Sequence, residues 1–400
     1  MLPCLLLTAA LLPGQAPPVA PAPAVEAPAP APPPTPDRWP LMRSLQGTWP
    51  SWLLEGNRMQ VYGWTQGSFT GSTDRVSNLP LGLNYLANEA LLQQNWLRIE
   101  RQVVTSGTSE PTFGFRNDWI LPGTDYRFTV ARGLFDGQLT ANHGRPNRYG
   151  IDPMQFYAEA YFPTIGRGMD VKVGRFFSQY GVESTDAVSN QLLSHVYTYL
   201  YDPFTHTGLL TTTKLTDAIS VQAGLVLGSD NFIDPTDNPT AIGSLKWAPP
   251  NGRNSVLFSF IVDKGRFDRV HNFHNPEVFD LIWAHKINPR LTYTHEMLYG
   301  FTTNVPDTGF ANWFGSISYL TRDLTPRLST TARMEFFDDF QGQRTGSKGL
   351  YTAITAGLNF RPRRWMMLRP ELRYDHNGES RPFEGNHGLF TAATDLILRW

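Results

Sequence analysis

The chain has 400 residues, with 34 basic and 35 acidic side chains and therefore almost no net charge. Charged residues make up only 17% of the chain and aromatic residues 13%, and no apolar run reaches the ~18 residues of a transmembrane helix. This composition excludes a multi-helix membrane protein, a disordered chain and a basic nucleic-acid-binding surface.

The first 16 residues have the pattern of a secretory signal peptide. The apolar stretch LLLTAALL (5–12) is followed by Pro13 and small residues, as is typical of such a signal, although the first basic residue is Arg38. Cys4 is the only cysteine of the chain, so the chain after signal removal has no disulfide and no thiolate metal site. We therefore expect an exported protein.

Residues 17–57 are predicted to be a periplasmic linker and interfacial segment. Proline and alanine dominate 17–36, which indicates an extended polyproline II linker. The stretch WPLMRSLQGTWPSWLL (39–54) is apolar but is broken by Pro40, Gly47 and Pro50. Two interpretations of this stretch stay open, an interfacial segment and a plug at the mouth of a barrel.

From residue 58 onward, apolar and polar residues alternate with the period of two that a half-buried β-strand requires. In the last stretch, Phe390, Leu396 and Leu398 share one face of the strand, whereas Asp395 and Arg399 share the other. The alternation predicts sixteen strands, at 58–69, 91–101, 112–120, 154–162, 169–177, 205–213, 218–227, 240–248, 254–262, 277–285, 291–300, 312–320, 327–337, 350–360, 366–375 and 388–400.

The connections alternate between short turns and loops of about ten to thirty residues, an asymmetry that outer-membrane barrels show. An even number of strands also places both chain ends on the short-turn side. We therefore predict an all-β fold, a transmembrane antiparallel up-and-down β-barrel of about 16 strands (range 14–18) over residues 58–400. The six predicted short turns are at 163–168, 214–217, 248–253, 286–290, 321–326 and 360–364.

Aromatic residues near the predicted strand ends suit the two interfacial girdles of such a barrel. These residues are Trp96, Trp119, Phe162, Phe176, Trp247, Trp283, Tyr299, Trp313, Phe360, Trp365 and Trp400.

Two stretches carry a resemblance to a known family. VKVGRFFSQYGVE (171–183), followed by YLYDPFTHTGLL (199–210), resembles the OmpL-like β-barrel porin family that is widespread in planctomycetes. The last strand, ending on Trp400, is similar to the assembly signal of outer-membrane barrels. The resemblance covers about residues 58–400 and implies a channel for passive diffusion of small hydrophilic solutes or ions. It also implies outer-membrane lipid and the barrel-assembly machinery as partners, and no cofactor; by analogy, such a barrel forms a homo-oligomer.

A barrel of this size leaves an aqueous lumen unless something fills it. Residues 178–204 form a long loop that either folds inward as a constriction or stays outside as an ordinary loop. Charges on the polar strand faces are the pore-lining candidates, either setting a field across the pore or neutralising each other across strands. These candidates are Arg116, Asp118, Glu159, Asp170, Lys172, Lys246, Arg327, Arg333, Glu335, Arg369, Glu371, Arg373, Asp375, Asp395 and Arg399.

The sequence offers little support for other chemistry. The groups His271–His274–Glu277 and Asp230–Asp234–Asp237 are interpreted as solvated loops rather than metal sites, and Asp186, Ser189 and His195 lack the nucleophile elbow of a hydrolase. We therefore predict no catalytic, cofactor or metal site. The alternatives to an open channel are a plugged or structural barrel tethered to the cell wall, an outer-membrane enzyme, and a soluble β-propeller.

Overall fold

The computed structural model describes residues 39–233, 239–263, 265–269 and 275–400. The predicted signal peptide and the linker up to residue 38 lie outside these residues, as do Asp234, Asp237, His271 and His274. The strands are β1 (Met59–Ser72), β2 (Glu89–Arg101), β3 (Thr112–Gly123), β4 (Gly150–Phe162), β5 (Met169–Phe177), β6 (Thr205–Lys214), β7 (Ile219–Val226), β8 (Thr240–Trp247), β9 (Asn254–Val262), β10 (Glu277–Asn288), β11 (Leu291–Val305), β12 (Gly309–Thr325), β13 (Leu328–Asp339), β14 (Gly349–Arg363), β15 (Met366–Asn377) and β16 (Gly388–Arg399).

The sixteen strands form one closed antiparallel barrel in which each strand pairs with its neighbours in sequence. β1 closes the barrel by pairing with β16 from Trp64–Arg399 to Ser72–Thr391. Closure leaves no unpaired sheet edge, which is the condition for a sheet in lipid. The predicted fold class and strand number are confirmed.

The two ends of the barrel differ as the sequence predicts. At the short-turn end the connections are 102–111, 163–168, 215–218, 248–253, 289–290, 326–327 and 364–365, and both chain ends lie there too. At the long-loop end they are 73–88, 124–149, 178–204, 227–239, 263–276, 306–308, 340–348 and 378–387. The connection 306–308 is shorter than expected because β11 and β12 continue beyond their predicted ends.

Among the described residues, four short helices are not part of the barrel wall: α1 (Pro40–Ser44), α2 (Trp49–Gly56), α3 (Tyr126–Thr129) and α4 (Tyr197–Tyr201). Within the described residues, no helix is long and apolar enough to span a membrane. The region 121–153 holds α3 and a 3-10 turn (Asp136–Leu139) in place of the extra hairpin that its length would allow.

The wall alternates between an exposed apolar outer face and a buried inner face. On β14, Leu350, Ile354 and Leu358 are exposed, whereas Tyr351 and Thr355 point inward and are buried. The girdle prediction is right for some aromatic residues and wrong for others. Exposed on the outer face are Trp247, Trp283, Tyr299 and Phe360, Trp365 is exposed in the turn 364–365, and Trp96, Phe176 and Trp313 are buried inside the barrel.

Candidate functional site

The lumen holds the 27-residue connection between β5 and β6, residues 178–204, which we call the lumen loop. From Leu192 to Thr198 every side chain of this loop is less than 9% exposed. The structure therefore places the loop inside the barrel and not above it. This agrees with the hypothesis that the loop folds inward.

β15 holds the lumen loop through four inward side chains, which we call the β15 row: Arg369, Glu371, Arg373 and Asp375. Because side chains at every second position of a strand point to the same face, these residues form a straight line along the wall. Their side chains are at most 4% exposed, so none of them contacts bulk water.

The β15 row binds the backbone of the lumen loop as well as its side chains. Arg369 Nη1 donates to the carbonyl oxygens of Ala187, Asn190 and Leu192 at 2.8–3.0 Å, while its other nitrogens bind the Asp395 carboxylate. Such guanidinium forks supply several donors in fixed directions. Three buried carbonyl groups, which cannot bond to water, thereby accept hydrogen bonds from a charged donor.

The next two residues of the β15 row continue along the same stretch of loop. Glu371 accepts the backbone N–H groups of Leu193 (2.7 Å) and Ser194 (3.1 Å). Arg373 donates to the carbonyl oxygen of His195 at 2.6 Å and pairs with Asp375 at 2.7 Å. Acid and base therefore alternate along β15 in step with the N–H and C=O groups that they bind.

β13 adds a second anchoring pair next to the β15 row. Arg333 donates to the carboxylate of Glu183 at 2.8 Å and to the Ser194 carbonyl oxygen at 2.6 Å. Glu335 accepts the Tyr197 N–H at 3.2 Å and lies 3.0 Å from Arg333 Nε. Burial alone would raise the pKa of Glu183, but the charge of Arg333 and the contact with the His195 ring outweigh it and lower the pKa to about 2. Glu183 is therefore an anion at neutral pH.

The loop is also held by β2, three strands from β15 around the closed wall. Arg98 on β2 binds Asp118 of the neighbouring strand and, at 2.9 Å, Asp186 of the loop. Gln94 donates to the Thr185 carbonyl oxygen at 2.9 Å.

A third side of the wall holds the start of the lumen loop. Asp280 on β10 accepts the Gly181 N–H at 3.0 Å, and Glu296 on β11 accepts the Val182 N–H at 2.9 Å. Anchors on both sides of the barrel position the loop across the lumen.

Most of the predicted pore-lining charges are thus on the inner face but are paired. Three pairs join neighbouring strands, Arg116–Glu100 (2.7 Å), Lys172–Glu159 (3.3 Å) and Arg369–Asp395, and Asp170 lies 3.9 Å from Lys172. This arrangement agrees with the second sequence interpretation, in which opposite charges on neighbouring strands neutralise each other.

One candidate lies outside the strand faces, and another faces inward at the short-turn mouth of the lumen. Arg327 is exposed in the turn 326–327, one residue before β13 begins, instead of on the strand face where the sequence pattern put it. Arg399 stacks on the ring of Trp39 at the short-turn end, with its guanidinium carbon 3.5 Å from the ring centroid.

An apolar collar, which the sequence analysis missed, surrounds the lumen towards the long-loop end. Successive strands contribute inward apolar side chains to one continuous cluster, and Ile261 lies directly opposite Ile242 and Val278 on the neighbouring strands. Leu81, Tyr180, Tyr197 and Phe383 of the loops fill its centre. The wall residues of the collar are Tyr157, Phe176, Leu210, Val226, Ile242, Ile261, Val278, Leu298, Trp313, Phe337, Tyr351, Ala353 and Leu389.

One small cavity lies against the lumen loop. It has a volume of about 30 Å³ and lies beside Tyr180, Glu183 and Asp202. This volume holds about one water molecule. The stretch 192–198 of the loop, which is buried throughout, is packed against the wall.

The geometry gives no support to the other chemistry considered from the sequence. The described residues contain no group of three His, Cys, Asp or Glu side chains arranged to hold a metal ion. Asp186 pairs with Arg98, and His195 Nδ1 lies 2.8 Å from Glu183. Both side chains therefore serve to hold the loop.

A loop-to-loop contact lies at the rim of the long-loop end. The Glu384 carboxylate accepts the backbone N–H groups of Arg75, Val76 and Ser77, each at 2.9 Å. These donors lower the pKa of Glu384. The contact is therefore strongest above the usual pKa of glutamate and is lost as the pH falls through the lowered value.

We expect Glu384→Ala to release the loop 73–88 without unfolding the barrel. Amides 75–77 should exchange with deuterium many times faster, because each loses its acceptor, while amides of β15 stay protected. Hydrogen exchange followed by mass spectrometry measures both. Glu379→Ala, in the same loop as Glu384, is the control. Equal exchange at 75–77 in both variants would contradict the role of Glu384 in holding the loop 73–88.

The comparisons with known proteins agree with this architecture. A family model described as "Putative beta-barrel porin-2, OmpL-like" matches residues 58–399. Among solved structures, the anion-selective porin of Comamonas acidovorans superimposes with a TM-score of 0.59 at 8% identity, over 86% of this chain and 99% of that one.

Two further solved structures have the same fold. The outer-membrane channel DcaP of Acinetobacter baumannii has a TM-score of 0.53 at 11% identity, over 86% of this chain and 96% of its own. OmpT of Vibrio cholerae has a TM-score of 0.53 at 10% identity, over 86% and 97%. The search of curated proteins gives no match.

Proposed function

Because the chain belongs to the OmpL-like family of β-barrel porins, we propose that the lumen loop sets the conductance of an outer-membrane channel. The family is one of passive diffusion channels for small hydrophilic solutes, and the chain is a member located in the outer membrane. The observation that carries the proposal is the anchoring of residues 181–197 to β2, β10, β11, β13 and β15.

The proposal follows from the size of the barrel. Sixteen strands enclose more space than the side chains of their own wall can fill, so such a barrel conducts unless another segment occupies it. In this chain the segment is the lumen loop, and the remaining cross-section depends on how firmly the loop is held. We therefore expect conductance well below that of an unobstructed barrel of this size.

Single-channel recording of the full chain, refolded and inserted in a planar bilayer, tests the function. Small discrete current steps that are linear with voltage would support a channel narrowed by the loop. Large steps, equal to those of a variant without the loop, would contradict our proposal for the loop. Inserted, heat-modifiable protein without any current would instead favour the alternative of a plugged structural barrel.

The family and the fold favour a channel over an enzyme. One solved structure of the same fold, Vibrio cholerae OmpT, is described as a trimer. We propose that this chain also forms a homo-oligomer, and mass determination of the native protein in detergent tests it. A monomeric mass would contradict this part of the proposal.

The last residue is proposed to be needed for assembly by the barrel-assembly machinery. Trp400 continues the β1–β16 seam, because its N–H and C=O exchange hydrogen bonds with Gly63 at 2.9 and 3.0 Å. Its indole packs over Gly63, where any Cβ would lie 2.7 Å from the ring. Trp400 therefore completes the closing contact of the barrel.

Replacing Trp400 with Asp should reduce the fraction of inserted protein several-fold. The substitution places a charge at the seam and removes the ring that covers Gly63. The amount of heat-modifiable barrel in the outer-membrane fraction measures this effect. Trp400→Phe keeps an aromatic ring and should insert normally; full insertion of Trp400→Asp would rule out the proposed assembly role.

A further inference from the structure

An exposed apolar helix face lies at the short-turn end, where the chain enters the barrel. The helix α2 exposes Trp49 (77%), Trp52 (79%) and Leu53 (49%), and the two tryptophans are the most exposed large apolar side chains of the described residues. With 3.6 residues per turn, these three positions fall within an arc of ~100° on one face of the helix.

The opposite side of the same helix faces the protein. Ser51 is 4% exposed and donates a hydrogen bond to the Glu55 carboxylate. The helix is thus apolar where it faces away from the protein, which is the reverse of a helix surrounded by water.

The position of α2 is fixed by its neighbours. Trp39, before α1, stacks between Arg399 of the last strand and Arg364 of the turn 364–365, with guanidinium carbons 3.5 and 5.0 Å from the ring centroid. Met42 is buried, and its sulfur lies 3.4 Å from the Val61 N–H on β1. The segment 39–56 is therefore attached to the barrel rim and is not a free tail.

The rim to which the segment is attached is also the edge of the lipid-facing band. Trp365, next to Arg364 in the same turn, is 43% exposed, and Trp247 is exposed on the outer face at the same end of the barrel. α2 ends at Gly56, and the barrel wall begins three residues later at Met59. α2 is thus continuous in the chain with the short-turn end of the wall, where Trp247 marks the lower aromatic girdle.

From this continuity we infer that α2 is an interfacial anchor whose Trp49–Trp52–Leu53 face lies in the phospholipid leaflet on the periplasmic side. Tryptophan is the side chain best suited to that depth, because its ring is apolar and its N–H still reaches the headgroups. The anchor would hold the start of the barrel, and with it the proline-rich segment before residue 39, at the membrane surface. The proposed lipid contact is distinct from the contacts of the lumen loop.

A single fluorescent probe tests the occupant of this face. In the full chain with Cys4→Ser, the substitution Leu53→Cys gives one thiol, which is labelled with an environment-sensitive dye after refolding into phosphatidylethanolamine–phosphatidylglycerol vesicles. We expect strong quenching by lipids brominated on their acyl chains and little quenching by iodide present on both sides of the bilayer. Glu55→Cys, on the flank of the same helix, is the matched control and should show the opposite pattern.

Two results would overturn the inference. Equal access of iodide to both probes would mean that the face lies in water. Protection from iodide without quenching by brominated lipid, lost when the protein is diluted in the membrane, would identify a second copy of the chain as the occupant.

A variant that keeps the probe but changes the face completes the test. Trp49→Ser with Trp52→Ser should expose the Leu53→Cys probe to iodide while the barrel remains heat-modifiable and its single-channel conductance unchanged. The proposal for the lumen loop is tested by conductance, and the proposal for α2 is tested by the access of iodide and lipid to the probe. Either proposal can therefore fail while the other holds. Continued protection of the probe without the two tryptophans would contradict the anchor.

Discussion

A variant in which residues 184–195 are replaced by Gly–Gly should conduct several-fold more current than the wild-type chain. The replaced residues include the carbonyl and N–H groups that Arg369 and Glu371 bind, so their loss empties the centre of the lumen. The surrounding wall is then wider than its own side chains can fill, and water enters.

The geometry of the lumen loop allows this deletion. The Val196 N–H donates to the Glu183 carboxylate at 3.1 Å, so the two ends of the removed stretch lie side by side. Two glycines span at most about 10 Å across three peptide links, which is enough to join these ends. The barrel wall itself is unchanged, and the variant should remain heat-modifiable.

Single-channel conductance in a planar bilayer measures the result. Removal of the exposed residues 141–145 from another long-end loop is the matched control and should leave the current unchanged. The freed charges of the β15 row would then line water, and a changed ratio of cation to anion permeability should accompany the larger current. A folded deletion variant with wild-type conductance would contradict the role of the loop.

The wall of the barrel was predictable because each strand has two different environments. The outer face must be apolar at every second residue, and this period is visible in the sequence over all sixteen strands. The last strand, predicted at 388–400, spans Gly388–Arg399 in the structure. The direction in which each side chain faces followed from the same period, since a shift of one residue would turn every charge to the apolar outside.

The lumen was not predictable in the same way. Arg369, Glu371 and Arg373 have the same alternating pattern whether they face water or bind a peptide backbone, and their partners lie almost 180 residues away along the chain. Only the position of the charges on the inner face could be inferred. What they bind depends on the path of a loop with no periodicity of its own.

The apolar collar did leave a signal. Near the long-loop end the alternation breaks down, because apolar residues occupy both faces in succession, as in Phe336–Phe337 and Leu350–Tyr351. In each pair one residue is exposed and the other is buried inside. A lumen filled with water would not select for the second residue of each pair, so consecutive apolar residues at one end of the strands predict a packed lumen.

Replacing Arg373 with Ala should strongly destabilise the barrel, by about 3–5 kcal/mol, as expected when one partner of a buried ion pair is removed. The guanidinium lies 2.7 Å from Asp375 and 3.2 Å from Glu335, and both carboxylates are fully buried. Without the guanidinium, Asp375 loses its arginine partner, Glu335 keeps only Arg333, and the carbonyl group of His195 loses its donor. The urea midpoint of the heat-modifiable form in vesicles measures the loss. Arg327→Ala, at an exposed position, should leave this midpoint unchanged.

Combining Arg373→Ala with the 184–195 deletion separates packing from charge. In the deletion variant the lumen contains water, so Glu335 and Asp375 are solvated and the loss of Arg373 costs much less than in the full chain. The difference between the two costs is the interaction energy between Arg373 and the loop. A large positive interaction energy means that Arg373 stabilises the barrel because the loop excludes water from the β15 row. Equal costs in both backgrounds would show instead that Arg373 stabilises the strand wall alone, and that the loop is held by other residues.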